Sequence, residues 1–480
     1  MNASAENTSP ENPNAENPNG LKLMRLLMFT LILSSMSSLM FNIVLPRISE
    51  EFQLSYARVS WLTSGYTIIY AIGTVMYGKL ADRFRLKNLL TFGLALFAFG
   101  SLAGLFSTTY WMALAARCLQ SAGAACIPAM AMIIPTRFIA PERRGQAMGM
   151  SAVGLALGTA LAPVVSAVIV SVADWRWLFV PPLVLLVLLP LYRRFLMDDD
   201  PKGARESFDW LGGGLLAATV ALLLLGVTNR DGGLLLAGLA ALALFVWRMH
   251  AAEQPFVRPA LFRFKRYTLA LSLSFLIHAI GISLFFLTPK LLDEVYSLDA
   301  NWIGFAMVPA ALVASTLGRA GGKWADRMGN AFLFRIASGL LILCFLLFSG
   351  FVGVHPLWIS VFLIFGNVGQ SFIGVAMSNT ISRTLPKEYV GVGMGLYPMM
   401  NFIAQGIAMG VYGIAVELDA ASDWNPLHGL LRGLDLFEAN MAGSSLYSNL
   451  FLVLAVLHAG ILWLYLSRFR KEKLSAENNG

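Results

Sequence analysis

The chain has 480 residues, of which 57% are hydrophobic and only 13% charged, with a mean hydropathy of +0.67. A soluble domain carries about 25% charged residues, so this balance excludes a water-covered globule and calls for a lipid-facing exterior. The net charge of +8 does not point to nucleic acid, because the basic residues are scattered over many short loops and form no single patch. Lys and Arg accumulating in the inner loops of a membrane protein explain it better.

In chain order, residues 1–20 form a polar tail with a near-repeat of Glu-Asn-Pro. It has no charged segment ahead of an apolar core, so it does not read as a cleaved signal peptide, and its composition predicts a disordered cytoplasmic tail. About fourteen apolar runs of spanning length follow. Residues 21–200 hold the first six, 205–252 two inserted spans, and 253–470 the last six, before a short cytoplasmic tail at 471–480. The seventh and eighth spans are Leu- and Ala-rich and read as lipid-facing spacers. Basic loops such as "GKLADRFRLK", "GKWADR" and the terminal "RFRKEK" fall on one side, which predicts that both termini are cytoplasmic. The long outer segment 417–445 carries Asp419, Asp423, Asp435 and Glu438 and reads as a solvated acidic loop.

The first span contains "LSSMSSLMFNIVLP", with four serines and Asn42 but no charge. Hydroxyls in a membrane helix bond to carbonyls one turn back, so most of this cluster is expected to be satisfied locally.

"GKLADRFR" begins at Gly78 and "GKWADRMG" at Gly322, each after the second span of its six. Two copies of one loop in equivalent places argue for duplicated halves, an organisation that secondary transporters build around a midplane site. Asp82 and Asp326 can cap the amides at the start of a helix. Arg83 and Arg327 can meet helix C-termini. Gly78, Asp82, Arg83, Gly322, Asp326 and Arg327 are therefore expected to form a conformational latch between the halves.

Arg117 and Gln120 lie inside the fourth apolar run. An intramembrane charge is costly and normally faces a cavity or a partner. In the fifth span Gly154, Gly158, Ala162 and Ser166 recur every fourth residue, with Pro163 adding a bend. This small-residue stripe predicts close helix packing and a seam between the halves. His278 titrates near neutral pH when unperturbed. Asn401 and Gln405 in the thirteenth span are neutral groups able to line a cavity. Cys118, Cys126 and Cys344 fall in apolar runs and read as packing residues. No catalytic constellation, nucleotide-binding loop or metal-ligand spacing is present, so neither an enzyme nor a cofactor is expected. The expected fold is an all-α polytopic membrane protein, and the expected partners are a small-molecule substrate and the bilayer.

These residues resemble the major facilitator superfamily, in its fourteen-span drug:proton antiporter branch, over nearly the whole chain after the tail. "SWLTSGYTIIYAIGTVMYGKLADR", "ARCLQSAGAACIPAMAM", "PERRGQAMG" and "LYSNLFLVL" are most similar to the tetracycline–metal/proton antiporters of Gram-positive bacteria. The resemblance implies two six-helix halves plus two central helices, and a monomeric bacterial plasma-membrane exporter using protons as the coupling ion. It carries the family's loop residues onto Gly78, Asp82 and Arg83, the fourth-span arginine onto Arg117, and the fifth-span motif onto Gly158 and Pro163. The departures are chemical. Arg85 replaces the loop's second glycine. Ser38, Thr159 and Gln405 stand where the family places intramembrane carboxylates. A serine neither takes up nor releases a proton near neutral pH, so tetracycline and the usual proton coupling do not follow from the resemblance, and a neutral or anionic metabolite is the alternative cargo.

Overall fold

A computed structural model describes residues 20–54, 56–59, 61–140, 143–196, 209–229, 231–298, 300–386, 389–417, 425, 427 and 444–469. The expected terminal tails and the acidic residues Asp419, Asp423, Asp435 and Glu438 lie outside them. The described chain is helical and contains no strand. This is the arrangement that lets a backbone in lipid satisfy its own hydrogen bonds.

The helices are α1 (Gly20–Met40), α2 (Trp61–Arg83), α3 (Leu86–Leu105), α4 (Tyr110–Ala124), α5 (Cys126–Phe138), α6 (Arg144–Val172), α7 (Leu185–Phe195), α8 (Trp210–Asn229) and α9 (Gly232–Ala251). There follow α10 (Lys265–Gly281), α11 (Ser283–Glu294), α12 (Ala300–Met328), α13 (Asn330–Gly350), α14 (Pro356–Thr384), α15 (Val390–Glu417) and α16 (Ser444–Phe469). The fourth span is α4 plus α5. It breaks at Ala125 because Pro128 lacks the N–H that Ala124 would otherwise bond. The ninth span is α10 plus α11, bent at Ile282. The sixth begins in two 3-10 turns, Trp175–Phe179 and Pro181–Val184, before α7.

Twelve segments are long and apolar enough to cross a bilayer. The other two of the expected fourteen are α2 and α6, helices of 23 and 29 residues. Both reach spanning length; α2 carries Thr, Gly and Tyr where lipid-facing spans carry Leu, whereas α6 is rich in Ala, Val and Leu.

α8 and α9 pack on each other. α8 covers α2 and α15, with Leu224 on Gly406 and Val227 on Gly410. α9 leaves Leu236, Leu239, Leu244 and Trp247 exposed, as a lipid-facing helix does. Asp209 anchors the pair. Its carboxylate accepts from Gly212 N–H at 3.0 Å, from the Phe256 N–H at 3.1 Å and from Arg248 at 3.1 Å. Burial works against this carboxylate, but the bonds from Gly212, Arg248 and Phe256 outweigh it and hold its pKa below the ordinary value.

At the face opposite the "GKLADR" loop, Glu51 receives Arg176 Nη2 and the Trp175 indole N–H, each at 2.6 Å. Arg176 Nε also donates to Ser107 O. This ties three loops of the first six spans together.

Candidate functional site

The interior is built around Arg117. Its side chain is fully buried, one turn before Gln120 on α4. Nε donates to Leu62 O at 3.3 Å. Nη1 donates to Ser37 O at 3.3 Å and to Gln120 Oε1 at 2.6 Å, and Nη2 to Ser38 O at 3.5 Å. The guanidinium lies between the rings of Phe41, 4.2 Å away, and Tyr66, 4.1 Å away. Gln120 Nε2 continues the network to Ser101 Oγ at 2.8 Å. No carboxylate takes part. The charge is balanced by carbonyls in the last turn of α1, where the helix dipole is negative, and by two aromatic faces.

This places Ser38 with its carbonyl on Arg117 and its side chain half-buried. A carboxylate at position 38 would sit within reach of the guanidinium. Here backbone carbonyls perform that neutralisation. Of the serines expected to satisfy themselves locally, Ser35 bonds back to Leu31 O, as Thr30 outside the cluster does to Leu26 O. Ser34 and Ser37 do not, and their buried hydroxyls, like that of Tyr66, have no hydrogen-bond partner among the described residues. Asn42 is exposed in the turn after α1.

The glycine stripe of α6 makes two different contacts. Gly154 and Gly158 pack on α1: a Cβ at Gly158 would lie 1.9 Å from Ser35 Oγ and 2.5 Å from Ile32 O. Ser166 Oγ donates to Met40 O at 2.8 Å, and Ala162 is buried. Pro163 lies in α6, its side chain outside those described. These residues therefore join two helices of the first six spans, and the expected seam between the sixes lies nearer the start of α6. A Cβ at Gly149 would lie 2.7 Å from Gly318 O, and one at Gly322 would lie 2.5 Å from Gly145 O. α2 and α15 meet in the same way, with a Cβ at Gly395 coming 3.1 Å from Gly78 Cα. The sequence carries this signal in a second repeat, outside the stripe at 154–166: "RGQAMGM" at 144–150 matches "VGVGMGL" at 390–396.

Asp326 closes the α6–α12 seam. Its Oδ1 accepts from Gly145 N–H and its Oδ2 from Gln146 N–H, both at 2.8 Å. The carboxylate thus caps the positive end of α6 from the opposite six spans. Asp82, its counterpart, pairs with Arg137 of α5 at 3.1 Å. The two turns also differ. Gly329 has φ +88, which favours glycine, whereas Arg85 at the matching place has φ −59 and ψ 130. Arg83 lies over the Phe84 ring, and Arg327 is exposed at the end of α12.

A second polar group lies at the bend of the ninth span. His278 Nδ1 is 2.9 Å from Ser274 O and 3.3 Å from Ser274 Oγ. Ser274 Oγ donates to Asn401 Oδ1 of α15 at 2.9 Å. The His278 ring meets that of Tyr397 edge-on at 6.1 Å. Gln370 of α14 fills the space beside Gly281. Gln405 and Thr159 are half-buried, and Thr159 Oγ1 bonds its own helix at Ala156 O. The structure thus keeps Arg117 and Gln120 together and joins His278 to Asn401. Ser274 and Tyr397, which complete the second group, are ordinary helix residues in the sequence.

The bundle is that of a polytopic transporter, with inward polar groups, glycine-lined crossings and apolar outer walls. The chain belongs to the Major Facilitator Superfamily, whose family model matches residues 27–409. It is 28% identical over 400 residues to the MFS-type transporter YwoD of Bacillus subtilis, covering 80% of this chain and 87% of that one. It is 25% identical to the putative multidrug resistance protein MdtD of Klebsiella pneumoniae, covering 82% and 87%. Its fold is similar to the crystal structure of the human organic anion transporter MFSD10 (TETRAN), with a TM-score of 0.64, 16% identity and coverage of 92% and 100%. The chain is a membrane transporter of small molecules and is not an enzyme.

Proposed function

We propose that this protein is a monomeric plasma-membrane exporter of amphipathic small molecules. It works by alternating access between residues 21–200 and 253–470, with both termini cytoplasmic and protons flowing inward. The observation that carries the reading is Asp326 holding the start of α6 across a glycine-lined crossing. A carboxylate on helix amides is a strong contact when made and is lost when the helices part, which suits a reversible closure on the face of the repeated loops. Gly78, Asp82, Arg83, Gly322, Asp326 and Arg327 act as the latch, Asn401 and Gln405 belong to the polar interior that substrate crosses, and Arg117 with Gln120 pins the helices around it.

A specific observation favours a second cargo. Within the described spans every Asp and Glu lies in a terminal turn, so the middle of the bundle holds Arg117 and no carboxylate. A cationic drug or a metal–tetracycline complex lacks a counter-charge there, whereas a neutral or anionic metabolite meets none of that cost. The multidrug name of MdtD supports the first cargo class, and the organic-anion name of MFSD10 the second.

Energised inverted vesicles test both. Uptake of cationic ethidium, anionic fluorescein and tetracycline is measured with and without a pH gradient. Uptake of at least one probe, abolished by an uncoupler, is expected. Flux indifferent to the uncoupler would make the protein a facilitator, and no flux of any probe would remove the export reading.

A further inference from the structure

Resting on that reading, we infer that His278 is the group that binds and releases the transported proton, in the place that intramembrane carboxylates hold in similar transporters. Among the described residues of the spans away from the helix ends, the imidazoles, the side chains whose unperturbed charge change lies nearest neutral pH, are His278 and His458. His458 on α16 is fully buried, and neither ring nitrogen meets a hydrogen-bond partner. A proton added there would have no acceptor and no route. Arg117 keeps its proton under all physiological conditions, and its donors are already engaged by carbonyls.

His278 differs in geometry. Nδ1 sits 2.9 Å from Ser274 O, an acceptor only, so Nδ1 carries the hydrogen and Nε2 the lone pair. No described residue lies within hydrogen-bond distance of Nε2, and the ring is only partly buried. The lone pair is therefore without a hydrogen-bond donor. An imidazolium needs an acceptor at each nitrogen, and only one is present, so this conformation, closed by Asp326, holds the neutral ring ready to accept a proton.

The surroundings transmit that change. Ser274 Oγ joins the histidine to Asn401 on α15, and Tyr397 of the same helix offers its ring edge-on. Tyr412, also on α15, donates to Ala279 O next to His278. The ninth span bends directly after the histidine, at Ile282. Of the other helices against it, α14 presents neutral Gln370 and is ionisable only at Arg383. α16 carries His458, Tyr447 and Tyr465, and α12 is ionisable only from Arg319 onward. The fixed cations on these helices are Arg383, Arg468 and, on α12, Arg319, Lys323 and Arg327, and none is hydrogen-bonded to His278. The step is a simple proton transfer: the Nε2 lone pair takes a proton from water, and returns it to water when the opposite face opens.

The test uses full-length protein in inverted vesicles, with ethidium and fluorescein as probes, comparing wild type with His278→Gln and, should that variant fail to reach the membrane, His278→Asn. Two readouts are taken: dissipation of a preset pH gradient on probe addition, and exchange of labelled for unlabelled probe with no gradient. Wild type is expected to do both. The variants are expected to retain exchange within about 2-fold, to lose at least 10-fold of the probe-driven proton movement, and to lose whatever pH dependence the wild-type exchange shows. A variant that still moves protons at the wild-type rate per probe overturns the inference and leaves the export reading intact. Wild type that moves neither probe overturns both.

Discussion

Arg117 and His278 mark the two polar centres of the bundle, and they are built in opposite ways. Arg117 carries a permanent charge, is sealed, and gives its hydrogens to carbonyls from two other helices. His278 is neutral, partly open, and held by one nitrogen. The contrast teaches that a charge inside a membrane protein need not be where the ligand binds. A buried guanidinium with every neighbour chosen for it is a structural pin, here fixing the end of α1 against α2 and α4. A looser group with a free lone pair is better placed to change state during a cycle.

The largest expected effect breaks the first centre. Arg117→Ala leaves the carbonyls of Leu62, Ser37 and Ser38 and the Gln120 amide facing a void, and stability should fall by about 3 kcal/mol or more. Thermal unfolding in detergent reads this, and Arg117→Lys should recover only part of it because Lys lacks the planar fork. His278→Ala, which removes one hydrogen bond, should cost only about 1 kcal/mol in the same assay. Equal losses at the two positions would erase the distinction.

Asp209→Ala comes next, at about 2 kcal/mol, because it frees two amides and Arg248 at once. The carboxylate's folded pKa lies below its unfolded one, so its stabilisation is fully present above the unfolded value of about 3.9. It is lost as pH falls through the lower folded value. Unfolding between pH 5 and 8 should therefore be insensitive to Asp209, with the wild-type advantage fading only in stronger acid. Asp326→Asn should follow, weakening the cap on α6 by about 1 kcal/mol, a shift of roughly 5-fold toward the open seam. Tyr66→Phe should be the smallest. It keeps the ring over Arg117 and deletes a hydroxyl that has no partner, so stability should change by less than about 0.5 kcal/mol.

Much of the fold is legible in the sequence because hydropathy and length report directly on lipid contact. α2 is the exception that explains the rule: its Gly, Thr and Tyr face other helices, so a scale of lipid affinity undervalues it. The repeated loop is legible for the same local reason, since the motif carries its own capping aspartate. Arg117 is visible as a charge in an apolar run, but its partners are backbone carbonyls far away in the chain, which leave no mark on residue type. Gly154 and Gly158 show the same limit from the other side. They share a four-residue spacing with Gly145 and Gly149, yet one pair meets α1 and the other α12. Only tertiary packing separates them.

The claim that joins these observations is that the α6–α12 crossing opens and closes during transport. Nitroxide labels at the exposed positions Asn88 and Met328, in a chain with Cys118, Cys126 and Cys344 replaced by alanine, report the separation of the two loops by pulsed electron resonance. The account predicts two distance populations in the wild type, their ratio shifted by the transported probe, and only the longer one in Gly322→Leu, where a side chain meets Gly145 O. One unchanged distribution in both proteins, with and without probe, would contradict it.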